Sequence, residues 1–175
     1  MTTRQIFIGV SSCLLGQHTR YDGGHKKSLA VTETLCQRFS CVSLCPELGI
    51  GLGVPRAAIV LITTPSRQLR AIIQESAVDV TRQIQQYAQD NHMQLQQLCG
   101  YVLKSKSPSC AIDSAYIYTS VASKSPITAR TSDGLFTTEL RRQFPYLPIC
   151  DETELDSEKN TAAFIDRVIT YSNTK

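Results

Sequence analysis

The chain has no tryptophan, few aromatic residues (7%) and no pair of cysteines in a C-x-x-C spacing. The missing C-x-x-C pairs count against a zinc ribbon, in which short chelating loops build the tetrahedral site. No stretch is apolar over the length a bilayer demands, and the start, MTTRQIFIGVSSC, lacks the order of a secretory leader. A cytoplasmic protein with no membrane attachment is therefore expected. A basic block is missing too. The 18 basic and 15 acidic residues are scattered and leave a formal charge of +3, which argues against a dedicated partner in duplex nucleic acid. What is present is 175 residues that are 42% hydrophobic, enough for one core. A single domain over residues 1–175 is expected, working as a monomer or small homo-oligomer.

Short apolar runs alternate with helical periodicity. Ile6 to Val10 reads as a buried strand, Ser28 caps a helix running to about Phe39, and Cys41 to Leu44 is a second strand. Pro46, Gly49, Gly51, Gly53 and Pro55 make an irregular loop. Ala58–Ile62 and Leu69–Ile73 form a hairpin turning at Pro65. From Asp79 an amphipathic helix reaches about Cys99, its other face filled with glutamine. Gly100 to Leu103 is the next strand, Ser125 to Gly134 is small and polar, and Leu135 to Phe144 is a helix. Pro145 to Cys150 holds another strand, and Phe164, Ile165, Val168 and Ile169 stripe a final helix. The pattern predicts an α/β fold: a three-layer, Rossmann-like, mainly parallel sheet with helices on both faces and a small β-hairpin insertion.

Parallel strands bring their C-terminal ends to one rim, where such sheets bind ligands. Cys13 follows the first strand, Cys45 the second, and Cys110 the Gly100–Leu103 strand, so the three thiols are expected to meet. The seven cysteines are odd in number, and a reducing compartment argues against a disulfide framework. Cys36, Cys41 and Cys99 are read as small buried hydrophobes, with Cys99 closing a helix. Cys150, at a strand end, stays open as a fourth ligand or sulfur acceptor. Three thiolates from three loops suit an iron–sulfur centre seated in a preformed pocket and leaving one iron open. Two other readings stay open: a metal-free enzyme carrying sulfur as a persulfide on one low-pKa cysteine, and a metal- or nucleotide-binding module without catalysis.

The segments VSSCLLGQHTRYDGGHK, CPELGIGLGVPR and LKSKSPSC, in that order, resemble the TudS-type thiouracil desulfurase family. The helix start Asp79-Val80-Thr81, the DGLFT segment at Asp133–Thr137 and the PYLPI strand extend the likeness along nearly the whole chain. The resemblance implies a 4Fe-4S cluster on Cys13, Cys45 and Cys110 with a fourth iron free. It also implies hydrolytic desulfuration of a small thiolated base or nucleoside, such as 2-thiouracil. Water attack needs a base, and the departing group needs a proton. Glu47, two residues after Cys45, is the first candidate and Asp22 the second. The alternatives are pairing of Glu47 with Arg56 or Arg20, and an Asx turn at Asp22. Ser107 and Ser109 are candidates to orient substrate or bond cluster sulfur, or else they cap a turn. His18 and His25 are read as solvated. Lys104, Lys106 and Arg56 are cations that would offset the charge of a thiolate-bound centre.

Overall fold

Two four-stranded sheets share the chain in the computed structural model, which describes residues 5–123, 125–127 and 131–175. The strands are β1 (Phe7–Ser11), β2 (Ser40–Leu44), β3 (Ile59–Thr63), β4 (Leu69–Ile73), β5 (Leu98–Leu103), β6 (Ala115–Tyr118), β7 (Thr131–Ser132) and β8 (Ile149–Asp151). The helices are α1 (Cys36–Arg38), α2 (Pro46–Gly49), α3 (Thr81–Asp90), α4 (His92–Gln96), α5 (Leu135–Gln143) and α6 (Glu158–Ser172). A 3-10 turn over Ser12–Leu15 and a π-helix over Ala30–Leu35 complete the elements.

The first sheet runs β2-β1-β5-β8 and is parallel throughout. Its central strands, β1 and β5, are near-continuous buried runs because both faces are covered. On one face Ile84 of α3 and Phe136 and Leu140 of α5 pack with Tyr101 and Leu103. On the other, Val31 and Leu35 from the π-helix and Phe164 and Val168 from α6 pack with Ile8, Val10 and Val102. The sheet thus separates two cores, the expected three-layer arrangement. The chain steps outward from β1 to β2, then returns to place β5 on the other side of β1. That reversal creates a crevice at the strand C-termini.

Several local expectations are corrected. The hairpin is real, with Ile59 to Thr63 antiparallel to Leu69–Ile73, but it is half of a second sheet, ordered β4-β3-β6-β7. The alternation of β6, AYIY, is too short to stand out from the loops around it. The stretch Ser125–Gly134 falls partly outside the described residues, at 128–130. The long glutamine-rich helix breaks at Asn91, whose side chain bonds the Tyr87 carbonyl (2.8 Å), and β5 begins at Leu98. Cys99 therefore sits inside a buried strand instead of closing a helix. The proline that marked a loop at position 46 instead starts a helical turn at N1, where its missing N–H costs nothing.

Cys36 and Cys41 are also corrected. Both are part-exposed, and they form a disulfide across the α1–β2 turn. The short helix ends at Arg38 and the chain reverses into β2, which brings the two Cα atoms to 5.4 Å, within the range a disulfide spans. The other cysteines, Cys13, Cys45, Cys99, Cys110 and Cys150, are free.

Candidate functional site

At the rim formed by β1, β2 and β5 lies a cleft of about 570 Å³, and Cys13, Cys45 and Cys110 all line it. A larger groove of about 970 Å³ between Phe144–Ile149 and α6 contains no thiol, so the chemistry concentrates in the smaller one. Cys13 sits in the 3-10 turn after β1, closed by Gly16 at φ 85°, a left-handed position that glycine takes without strain. Cys45 precedes Pro46 of α2; burial pushes its thiol up, and the backbone amides of Leu48 and Glu47 at the start of the helical turn pull the other way.

Cys110 belongs to the Lys104–Cys110 loop, which α5 holds from behind. The first amides of a helix have no intrahelical partners. Here the Leu135 amide donates to the Pro108 carbonyl (3.1 Å) and that of Phe136 to the Ser109 carbonyl (2.9 Å). The Thr137 hydroxyl donates to the Cys110 carbonyl (2.8 Å). This explains the DGLFT motif: it grips the SPSC segment. Gly134 lies so close that a β-carbon there would fall 2.3 Å from the Ser109 carbonyl carbon and 2.5 Å from the Cys110 nitrogen. Gly134→Ala is therefore expected to cost about 1–3 kcal/mol, as overpacking against backbone does, and to displace Cys110. A lowered thermal midpoint together with reduced metal uptake checks it.

Glu47 is clamped. One carboxylate oxygen takes Arg56 Nε (3.0 Å) and Nη2 (2.6 Å), and the other takes the hydroxyl of fully buried Ser109 (3.0 Å). Arg56 also donates to the carbonyls of Thr19 and Gly53, tying the 17–25 loop to α2. The pairing with Arg56 is thus present, and Glu47 still lines the cleft. Ser107 lines the cleft as well and caps a turn, accepting the amides of Ser109 (3.2 Å) and Cys110 (3.1 Å).

Asp22 is placed differently. It bonds Arg20 (2.8 and 3.1 Å) and the Gly24 amide (3.0 Å) in an Asx turn and is absent from the cleft lining. The Arg20 bonds hold its carboxyl down at about 2, which makes it a poor base at neutral pH. His18 and His25 stack edge to face outside the lining, ring centroids 5.0 Å apart.

Glu152 was not anticipated. It follows β8 on the same rim and receives the Ser105 amide (2.8 Å), the Ser105 hydroxyl (2.7 Å) and the Lys104 ammonium. Reading every residue just past a parallel strand, the rule that found the cysteines, would have found it. Burial pushes its carboxyl up, but the bonds from Lys104 and Ser105 outweigh that and leave it below the ordinary range. A depressed folded-state value gives stability above the unfolded value that disappears as pH falls through the folded one. Glu152→Gln is expected to make acid unfolding less steep below about pH 4.5, read by circular dichroism along a pH titration.

The three thiols are mutually felt. Burial pushes Cys13 up to about 11, with the Cys45 charge adding to it, while Lys104 and Arg20 pull the other way. Burial raises Cys110 strongly, again with Cys45 and Cys13 contributing, whereas the Ser11 hydroxyl bonds its sulfur and opposes the rise. Among the described residues no group of three or more His, Cys, Asp or Glu side chains is placed to hold a single metal ion. Three soft donors with hydroxyls, amides and flanking cations fit an iron–sulfur group of several atoms. Cys150 is fully buried against Phe164 and Leu155 in the α6 core and is not among the residues lining this cleft.

Fold and site together define an α/β protein whose sheet crevice carries three unpaired cysteines from three different strand ends. The chain belongs to the 2-thiouracil desulfurase family, which matches residues 8–152. It is 31% identical over 127 residues to the uncharacterized protein YbbK of Bacillus subtilis (strain 168), covering 69% of this chain and 82% of that one. Its structure is similar to that of the [4Fe-4S]-dependent thiouracil desulfidase TudS, with a TM-score of 0.67 and 27% identity over 94% of this chain and 99% of the other. No helix among the described residues is long and apolar enough to cross a membrane.

Proposed function

We propose that this protein is a hydrolytic desulfurase that removes sulfur, as sulfide, from a small thiolated nucleobase or nucleoside such as 2-thiouracil. The observation that carries the reading is one cleft holding three free thiols from β1, β2 and β5 beside a fixed carboxylate, Glu47. Membership of the family and the likeness to TudS support it. Cys13, Cys45 and Cys110 would hold a 4Fe-4S cluster. Bound through three thiolates, such a cluster supplies an open iron, a Lewis acid with affinity for a thiocarbonyl sulfur.

The remaining work falls to the chain's own side chains. Overall, water oxygen replaces sulfur on carbon: a C–O bond forms, the C–S bond breaks, and sulfide leaves with no electron gained or lost. Glu47 takes the proton from the attacking water. A carboxylate oxygen accepts in two directions, so Ser109 leaves room on the same oxygen for that water. Arg56 fixes the carboxylate in place. Lys104, held by Glu152 and Ser105, faces the leaving group with positive charge. Tyr21 at the cleft edge offers a ring on which a planar base can stack.

The test is anaerobic reconstitution with iron and sulfide, then an assay of sulfide release from 2-thiouracil, thiouridines and related compounds. Brown protein with acid-labile sulfide that releases sulfide from one of them is expected. Colourless protein holding one zinc and no labile sulfide after reconstitution would overturn the reading.

A further inference from the structure

Tyr101 stands out among the buried polar groups. Its side chain is fully buried, and its hydroxyl is the one buried side-chain nitrogen or oxygen among the described residues with no hydrogen-bond partner. Native interiors rarely leave such a group unpaired. The ring itself is well placed. It lies over Gly9, its partner in the β1–β5 register, where a β-carbon would come within 2.4 Å of the ring edge. It also meets Phe136 at 5.7 Å between centroids. A phenylalanine would satisfy these contacts equally, so the packing does not account for the hydroxyl. Its surroundings do: Tyr101 shares one buried cluster with Cys110 and with Phe136, whose amide holds the Cys110 loop, and, after burial, the charges of Cys110, Tyr87, Cys45 and Cys13 are what push the hydroxyl's pKa up.

We propose that the Tyr101 hydroxyl donates a hydrogen bond to a sulfur of the iron–sulfur cluster, an inference that rests on the reading of the cleft given above. In this arrangement Tyr101 is a positioning residue. The protein leaves a buried donor unmatched in its own fold, in the same cluster as Cys110. Hydrogen bonds to the sulfurs of a cluster raise its reduction potential by favouring the more negative state, and outer partners of metal ligands hold the metal in place. Gly9 belongs to the same device, because only a bare α-carbon lets the ring lie across β1.

The test compares wild type with Tyr101→Phe, both reconstituted anaerobically with iron and sulfide. The metal-free variant is expected to melt at or above the wild-type temperature, since only an unpaired hydroxyl is lost. Its cluster is expected to titrate at a more negative potential and to release iron to a chelator about tenfold faster. Equal potentials and equal release rates would overturn the proposal. If Tyr101→Phe does not accumulate, 3-fluorotyrosine at position 101, a stronger donor of nearly the same shape, is expected to move the potential the opposite way. An unmoved potential there overturns the proposal just as well. Wild type that binds no cluster removes the desulfurase reading and this inference with it, whereas a wild-type cluster matched in every respect by the variant removes this inference alone.

Discussion

Replacing Cys45 with alanine is expected to strip the protein of bound iron and to lower sulfide release to the level of buffer, and Cys13→Ala and Cys110→Ala are each expected to do the same. The argument is geometric. Each thiol comes from a different strand end, so no ligand has a neighbour able to take its place. The other free thiols, Cys99 and Cys150, are packed in the core against α6. The fold should survive, because losing one sulfur at a cleft edge costs on the order of 1 kcal/mol and leaves both cores intact. Iron content, labile sulfide and turnover, measured beside a thermal melt, check the three variants. Full turnover in two of the three would point instead to a single sulfur-carrying cysteine and would sink the cluster reading.

The second large effect is expected from Glu47→Gln: iron content unchanged and turnover lower by a hundredfold or more, the range for a lost general base. The amide keeps an oxygen that can accept from Arg56 or Ser109, so the cleft should hold its shape, but it no longer takes a proton from water. Arg56 then lacks a counter-charge in a part-buried position, where its side chain is 9% exposed. Its bonds to the Thr19 and Gly53 carbonyls remain and hold the stability loss to about 1–3 kcal/mol. Steady-state kinetics and iron analysis on the same sample separate the two effects. A variant with full kcat would take Glu47 out of the proton-transfer role.

The architecture was legible because buried parallel strands are apolar without interruption. Ile8, Val10, Val102 and Leu103 belong to such runs, and the loops after them had to share a rim. Three thiols and Glu47 could be placed there from chain order alone. The second sheet was not legible. It depends on β6, four residues long, finding β3 across a long chain separation, and no local pattern records that pairing. The disulfide was hidden for a similar reason: Cys36 and Cys41 meet only because a short helix stops at Arg38 and the chain reverses. Asp22 and Glu47 looked alike in sequence, each a loop carboxylate near an arginine. What separates them is Ser109, which reaches Glu47 from 62 residues away. Tyr101 lay unremarked within the Gly100–Leu103 strand, since nothing in a strand's periodicity reports whether a hydroxyl has found a partner.

The two cores, one on each face of the parallel sheet, are assembled without any help from the cleft thiols' chemistry. The sheet order, the α5 grip on the Ser107–Cys110 turn and the Arg56 clamp all consist of ordinary packing and hydrogen bonds. In small zinc domains metal binding and folding are one event. Here the packing and hydrogen bonds that hold the fold do not run through the thiol sulfurs, so the fold is expected to survive removal of any bound metal.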